Sequence, residues 1–214
     1  RITQFESGKK VEGLKHILAS DQYLTRSQSS DHNVYISSLV GEAVGQLAAW
    51  SVMHALDFTK RPVAGIVSKV NIFDEVKVGE TLLLSAEIDE LDDKAVEYHG
   101  CAYVGTRKIF EIESAIGPMV AMDDMISQSD VKAQFDNIFN LEQSNQVDFK
   151  SHLAASSSII NNPLIEFDNY QTMQKDQLCT AEKFINVNAP YFADHFPLKP
   201  VLPLTILLGC KIQM

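Results

Sequence analysis

The chain has 214 residues, of which 45% are hydrophobic and 21% charged, a composition typical of a globular rather than a disordered protein. Lys and Arg total 18 against 28 Asp and Glu, a net charge of −10 that disfavours binding to nucleic acid or to an anionic membrane. The longest apolar run, 200–210, is much shorter than the roughly 20 residues that span a bilayer. Three widely spaced cysteines favour neither a disulfide framework nor a Cys-x-x-Cys metal site, so we expect a protein of the reducing cytoplasm.

The first clear pattern is a helix that is apolar on nearly all sides. Residues 39–53 contain no helix breaker, and Ser37 and Ser38 offer side-chain oxygens to cap its start. A helix that is apolar all round is expected to be buried. Gly41 and Gly45 lower its helix propensity, so we expect another element to pack close to the backbone there.

After Pro62 the pattern changes to strands rich in Val, Ile, Leu, Phe and Tyr. Polar pairs at 92–93 and 105–106 are typical of hairpin turns. One buried helix followed by an antiparallel meander predicts an α+β fold in which the sheet wraps around the helix. The predicted strands are 14–18, 63–73, 80–91, 95–104 and 108–116.

The remainder of the chain predicts a linker and a second unit. Residues 121–158 are rich in Asp, Ser, Gln and Asn, which indicates an acidic surface linker with some helix around 126–139. Strands are expected at 164–168 and 177–188, with a helix from Thr205. The predicted parts are therefore a first unit at 1–120, the linker at 121–158 and a second unit at 159–214.

Two single residues are candidates for chemistry. Glu42 lies in the apolar helix, where a carboxyl is costly unless it is protonated or partnered. His195 lies between an aromatic-rich segment and three closely spaced prolines, which restrict the loop and hold an imidazole in place for acid-base work. The residues alone leave the alternatives open: a carboxylate that faces solvent, and a packed or surface histidine.

Two segments resemble one known family. His195-Phe-Pro-Leu-Lys-Pro-Val-Leu-Pro-Leu204, with Lys183 to Phe192 before it, is similar to the active-site loop of hotdog-fold 3-hydroxyacyl-acyl carrier protein dehydratases, His-Phe-Pro-Gly-x-Pro-Val-Met-Pro-Gly. Gly41-Glu-Ala-Val-Gly-Gln-Leu-Ala-Ala49 resembles their central helix, in which Glu and Gln lie four residues apart. Leu198 and Leu204 replace the two loop glycines. The resemblance covers about residues 34–120 and 160–214 and implies a tandem double hotdog, an intrachain pseudo-dimer that could form a further homo-oligomer.

The two copies are complementary. In the family the histidine stands fourteen residues before the acid, and the same count leads from Glu42 back to Gln28 and from His195 forward to Gly209. The resemblance thus implies one composite site, with Glu42 from the first unit and His195 from the second. The related site would have neither the histidine nor the acid. Because the second unit stops at Met214 within its central helix, we expect the chain to continue or to pair with another chain that supplies the missing strands.

The resemblance also implies a reaction, the interconversion of 3-hydroxyacyl and trans-2-enoyl thioesters. No metal or organic cofactor is expected, and the substrate would be carried on the phosphopantetheine of acyl carrier protein or of coenzyme A. His195 would remove the α-proton, a protonated Glu42 would donate to the leaving hydroxyl, and Gln46 would orient that carboxyl. The other expected site residues are Leu204 and Thr205, whose backbone N–H groups would hold the enolate-like oxygen, and Phe196, Pro197, Val201 and Leu202, which would line the substrate pocket.

Two other functions stay open at this point. One is a hotdog acyl thioesterase, and the other is a non-catalytic acyl-binding scaffold subunit, which is favoured if Leu198 and Leu204 close the tunnel. Lys60, Arg61 and Lys199 could form a basic rim for an acidic carrier protein or a phosphopantetheine phosphate, but ordinary solvated charge is the favoured interpretation of these three residues.

Overall fold

A computed structural model describes residues 1–139, 162–174 and 178–212 of the chain. The helices are α1 (Ser37–Ala55), α2 (Gln128–Phe139) and α3 (Leu204–Ile212). The strands are β1 (Ile2–Glu6), β2 (Lys10–His16), β3 (Leu24–Arg26), β4 (Asn33–Tyr35), β5 (Lys60–Pro62), β6 (Ile66–Ile72), β7 (Val76–Lys77), β8 (Thr81–Leu91), β9 (Ala95–Val104), β10 (Arg107–Ala121), β11 (Asn169–Gln174) and β12 (Leu178–Glu182). Within the described residues, no helix is long and apolar enough to cross a bilayer.

The main sheet has seven strands, and all of its pairings are antiparallel. Its order is β1-β2-β8-β9-β10, and β10 then pairs with β6 along its middle and with β5 at its end. Two tight hairpins connect β8, β9 and β10, as the polar pairs predict. Asp92 accepts hydrogen bonds from the N–H groups of Lys94 and Ala95 in the first turn, and Gly105 takes a positive φ of 57° in the second.

Helix α1 lies against the inner face of this sheet. Val44 is fully buried, and the two glycines of the helix lie where the sheet comes closest. A Cβ on Gly41 would lie 2.7 Å from Cζ of Phe110, and one on Gly45 would lie 3.0 Å from the Tyr98 hydroxyl. The predicted close packing is confirmed, and a curled antiparallel sheet around one buried helix is the hotdog fold.

The start of α1 differs from the prediction. The helix begins at Ser37, its N-cap residue is Ile36, and no side chain caps it. Ser38 is buried because α3 packs there: a Cβ on Gly209 would lie 3.1 Å from the Ser38 hydroxyl oxygen. The predicted serine cap is therefore wrong, because Ser37 and Ser38 are the first two residues of the helix itself and lie past the capping position.

The described part of the predicted linker packs on the first unit. A short 3-10 turn at Met122–Asp124 leads into α2, and Val131 and Phe135 of α2 are buried. The Phe135 ring lies 5.3 Å from that of Phe5 and 5.5 Å from that of Phe58, centroid to centroid. Residues 140–158 of the predicted linker lie outside the described residues.

The second unit begins differently from its prediction. A 3-10 turn occupies Pro163–Ile165, where the sequence predicts a strand at 164–168, because the Asn162 side chain accepts a hydrogen bond from the N–H of Leu164 and starts a turn. That predicted strand is wrong, and β11 begins only at Asn169. The strand predicted at 177–188 is shorter, since β12 ends at Glu182; residue 177 lies outside the described residues.

The described residues after 161 share a core with the first unit. The Asn162 amide donates to the carbonyl oxygens of Gln22 and Leu24, at 2.6 and 3.2 Å. The N–H of Leu198 donates to the carbonyl oxygen of Met125 at 3.1 Å. With the packing of α3 on α1, these bonds fix the loop that carries His195 relative to the first unit. The tandem double hotdog stays a prediction.

Candidate active site

The loop that carries His195 closes on itself through two hydrogen bonds. The Val201 N–H donates to the His195 carbonyl oxygen at 3.0 Å, and the His195 Nδ1 lies 3.0 Å from the Val201 carbonyl oxygen. A carbonyl oxygen can only accept, so Nδ1 carries the hydrogen of this bond. In the neutral imidazole the Nε2 atom then holds the free lone pair, the state that a general base needs.

Phe196 joins this imidazole to the interior. Its ring stacks on that of His195 with centroids 4.3 Å apart and planes 24° from parallel, and only 7% of Phe196 is exposed. The peptide bond between the two residues is cis. The imidazole is thus placed against a buried ring, whereas His195 itself is half-buried and reachable by a ligand.

Glu42 lies half-buried on α1, one helical turn before Gln46. The Gln46 amide donates to the Glu42 carboxyl at 3.1 Å, the contact that the four-residue spacing allows. Burial, together with the charge of Glu42, raises the pKa of Tyr98 to about 12. The Tyr98 hydroxyl faces α1 from β9, close to Gly45.

Arg61 contacts the histidine loop from the first unit. Its guanidinium carbon is 4.3 Å from the centroid of the Phe196 ring, and its Nε is buried without a hydrogen-bond partner among the described residues. Burial lowers the pKa of Arg61, and the charge of Glu42 opposes this shift. No hydrogen bond or ion pair joins Glu42 directly to His195 in the described part of the chain.

This position of Arg61 corrects the interpretation of that residue as an ordinary solvated charge. Lys60 pairs with Asp93 at the surface and Lys199 is exposed, as expected of solvated charges. Arg61 instead is half-buried and turned toward Phe196. The sequence places a basic residue between a lysine and a proline, and this pattern contains no signal of burial.

The first turn of α3 follows the histidine loop. The N–H groups of Ile206 and Leu207 both donate to the Pro203 carbonyl oxygen. Those of Leu204 and Thr205 have no acceptor among the described residues, as expected at a helix start, where the helix dipole also favours negative charge. These two N–H groups are available to an oxygen atom of a ligand.

The leucines that replace the family glycines are tolerated by the backbone. Neither Leu198 nor Leu204 has a positive φ, so the strain expected from a left-handed conformation does not arise. Their side chains are 63% and 51% exposed.

The other predicted pocket residues differ in burial. Phe196 is buried, Leu202 is half-buried, and Pro197 and Val201 are exposed. Two surface concavities, one beside the β8–β9 hairpin and one at residues 26–31, include none of these residues and neither Glu42 nor His195.

The fourteen-residue count leads from Glu42 to Gln28 and from His195 to Gly209, and these two positions lie elsewhere in the structure. Gln28 is exposed in a loop, and its N–H donates to the Glu75 carboxyl at 3.1 Å. Gly209 is buried against the first turn of α1. Neither of these two residues has a titratable side chain, so they supply no acid or base.

No family model matches the chain. Curated relatives are 3-hydroxyacyl-acyl-carrier-protein dehydratases. The protein from Caldanaerobacter subterraneus subsp. tengcongensis is 27% identical over 106 residues, 49% of this chain and 74% of that protein. The one from Pelotomaculum thermopropionicum is 29% identical over 115 residues, 53% of this chain and 81% of that protein.

Solved structures with a similar fold share little sequence. A hot-dog-like protein from Thermanaerovibrio acidaminovorans has a TM-score of 0.45 and 16% identity, covering 62% of this chain and 93% of that one. The protein smu.793 from Streptococcus mutans, bound to acetyl CoA, has a TM-score of 0.44 and 12% identity, covering 56% and 87%. These likenesses are too distant to bear on function. The sequence relatives and the sheet around α1 together confirm that the chain has a hotdog fold and resembles the 3-hydroxyacyl-acyl-carrier-protein dehydratases.

Proposed function

We propose that this chain interconverts 3-hydroxyacyl and trans-2-enoyl thioesters at one composite site formed by His195 and Glu42. The observation that carries the proposal is the loop around His195: the Nδ1 bond to Val201 leaves Nε2 free, and the Phe196 ring stacked on the imidazole contacts Arg61 of the first unit. The loop of the candidate base thus packs on the unit that also carries the candidate acid, although the two residues come from distant parts of the chain.

The first half of the reaction is proton removal. The Nε2 lone pair of neutral His195 takes the α-proton of the 3-hydroxyacyl thioester, while the Nδ1 hydrogen stays bonded to the Val201 carbonyl oxygen. That bond fixes the ring orientation and stabilises the imidazolium that forms. Negative charge develops on the thioester oxygen, and the free N–H groups of Leu204 and Thr205 are the donors assigned to it.

The second half is loss of water. The electron pair of the broken Cα–H bond forms the Cα–Cβ double bond, the Cβ–O bond breaks, and the Glu42 carboxyl gives its proton to the departing hydroxyl. The resulting Glu42 carboxylate is stabilised by Gln46 and by the positive charge of Arg61. Transfer of the proton from His195 back to Glu42 restores the starting state, and hydration is the same sequence in reverse.

The substrate class follows from this assignment. The acyl group would be carried as a thioester on the phosphopantetheine of acyl carrier protein or coenzyme A, and the exposed side chains of Pro197 and Val201 would meet it at the surface. The proposed chemistry uses only groups of the chain itself and of the substrate.

The test is the turnover of 3-hydroxyacyl-coenzyme A and enoyl-coenzyme A, followed by the absorbance of the enoyl thioester. We expect His195→Ala and Glu42→Gln each to lower kcat by about 10²–10⁴-fold, the usual contribution of one acid or base. His99→Ala is the matched control, because His99 is exposed on the sheet beside Asp89. Unchanged turnover in both variants refutes the composite site. Thiol release without enoyl formation identifies a thioesterase, and binding without turnover identifies a scaffold.

A further inference from the structure

Four cations lie over aromatic rings in the described residues, and one of these contacts differs from the others. Three of them join residues within 1–139, with distances of 4.9–5.8 Å to the ring centroid. The fourth, Arg61 over Phe196 at 4.3 Å, is the shortest and joins β5 of the first unit to the histidine loop of the second. Its position suggests a role that is specific to this loop.

The backbone of Arg61 is held firmly on the side of the first unit. Its strand, β5, pairs with the end of β10, where Arg61 lies opposite Val120. The Pro62 that follows lies opposite Met119 and has a fixed φ. The side chain therefore extends from a backbone that is held by the first unit.

The guanidinium lies in surroundings that make its ring contact strong. Its Nε is buried and has no acceptor among the described residues, and no carboxylate within 4.0 Å pairs with Arg61 in that part of the chain. A desolvated cation gains more from an aromatic face than one in water. The Phe196 ring, which is itself buried, lies against this guanidinium.

The same ring stacks on the imidazole of His195, with centroids 4.3 Å apart. Movement of the Phe196 ring would therefore move the surface on which the imidazole rests. The Nδ1 bond to Val201 lies within the loop, whereas the Phe196 ring links the imidazole to a side chain of the first unit.

We infer that Arg61 is a positioning residue for His195: its guanidinium fixes the Phe196 ring, and that ring fixes the imidazole relative to the first unit and to Glu42. The catalytic consequence rests on the proposed function, whereas the effect on the imidazole does not. Arginine suits this role because its flat guanidinium can stack on a ring, and lysine keeps the charge without the plane.

The test compares Arg61→Met with Arg61→Lys, and Lys108→Met is the matched control. Lys108 lies 5.3 Å from the centroid of the Phe73 ring, a contact within the first unit. Two quantities are measured on each folded variant: the kcat and KM of enoyl-coenzyme A hydration, and the NMR resonances of the His195 imidazole, assigned by their loss in His195→Ala.

We expect Arg61→Met to lower kcat by about 10–100-fold, the cost of a small misplacement of a catalytic group, with KM changed less than kcat. The His195 resonances should shift in Arg61→Met, shift less in Arg61→Lys, and stay in place in Lys108→Met. Phe196→Leu removes the ring itself, so adding Arg61→Met to it should have no further effect on kcat or on the resonances.

Three results separate the inference from the proposed function. Unchanged His195 resonances in Arg61→Met overturn the inference, whatever happens to kcat, because the imidazole has then not moved. Additive effects of Arg61→Met and Phe196→Leu also overturn it. If Arg61→Met folds poorly, Arg61→Lys is compared with wild type in its place, and unchanged His195 resonances there overturn the inference too. A wild-type chain without turnover, in which Arg61→Met still shifts the resonances, refutes the proposed function and supports the positioning role.

Discussion

Substitution of Phe135 by alanine tests whether the segment after the sheet belongs to the folded core. Phe135 is 5% exposed, and its ring lies 5.3–5.5 Å from those of Phe5, Phe58 and Phe139. Loss of a buried phenylalanine side chain costs about 3–5 kcal/mol. Val131 is the only other buried residue that α2 contributes, so this helix can relax into the space and we expect the lower end, about 3 kcal/mol.

The assay is urea unfolding of wild type and of Phe135→Ala, followed by far-UV circular dichroism, together with a thermal scan of each. For a chain of this size, about 3 kcal/mol corresponds to a fall in Tm of roughly 6–12 °C. Gln134→Ala is the matched control, since Gln134 is exposed on the same helix and its loss should change the free energy of unfolding by less than about 0.5 kcal/mol. Equal, small effects of the two substitutions would mean that α2 is a solvated linker and that its packing is misassigned.

Two further predictions concern the contact between units and the dependence on pH. Asn162→Ala removes the amide that donates to the carbonyl oxygens of Gln22 and Leu24. The free energy of unfolding should therefore fall by about 1–3 kcal/mol, and proteolysis after residue 162 should accelerate. Resistance to proteolysis equal to that of wild type contradicts this prediction. The hydrogen bond from Arg107 lowers the pKa of Asp74 below its ordinary 3.8, so its stabilisation is present above that pH and is lost as the pH falls through the folded-state pKa. The urea midpoints of wild type and Asp74→Asn should therefore differ slightly at pH 6 and converge as the pH falls below 3.8; a constant difference contradicts the pairing.

Local sequence patterns determined most of the first unit. The apolar run of α1, its two glycines and the polar turn pairs predict a buried helix beside an antiparallel meander, and the structure confirms this arrangement. These features depend on neighbours along the chain, because periodicity and turn chemistry act over a few residues. The exact end of an element is less well determined by such patterns, as at the start of α1, where Ile36 and not a serine is the N-cap residue.

The candidate site divides in the same way. The sequence alone named His195, Glu42 and Gln46, because a restricted loop and a carboxyl in an apolar helix are local features, and it supplied the family resemblance. Only the tertiary structure placed Arg61 on Phe196 and packed α2 and α3 on the first unit. Burial and contacts between distant segments depend on how separate elements pack together, and the residues next to Arg61 in the sequence do not determine that packing.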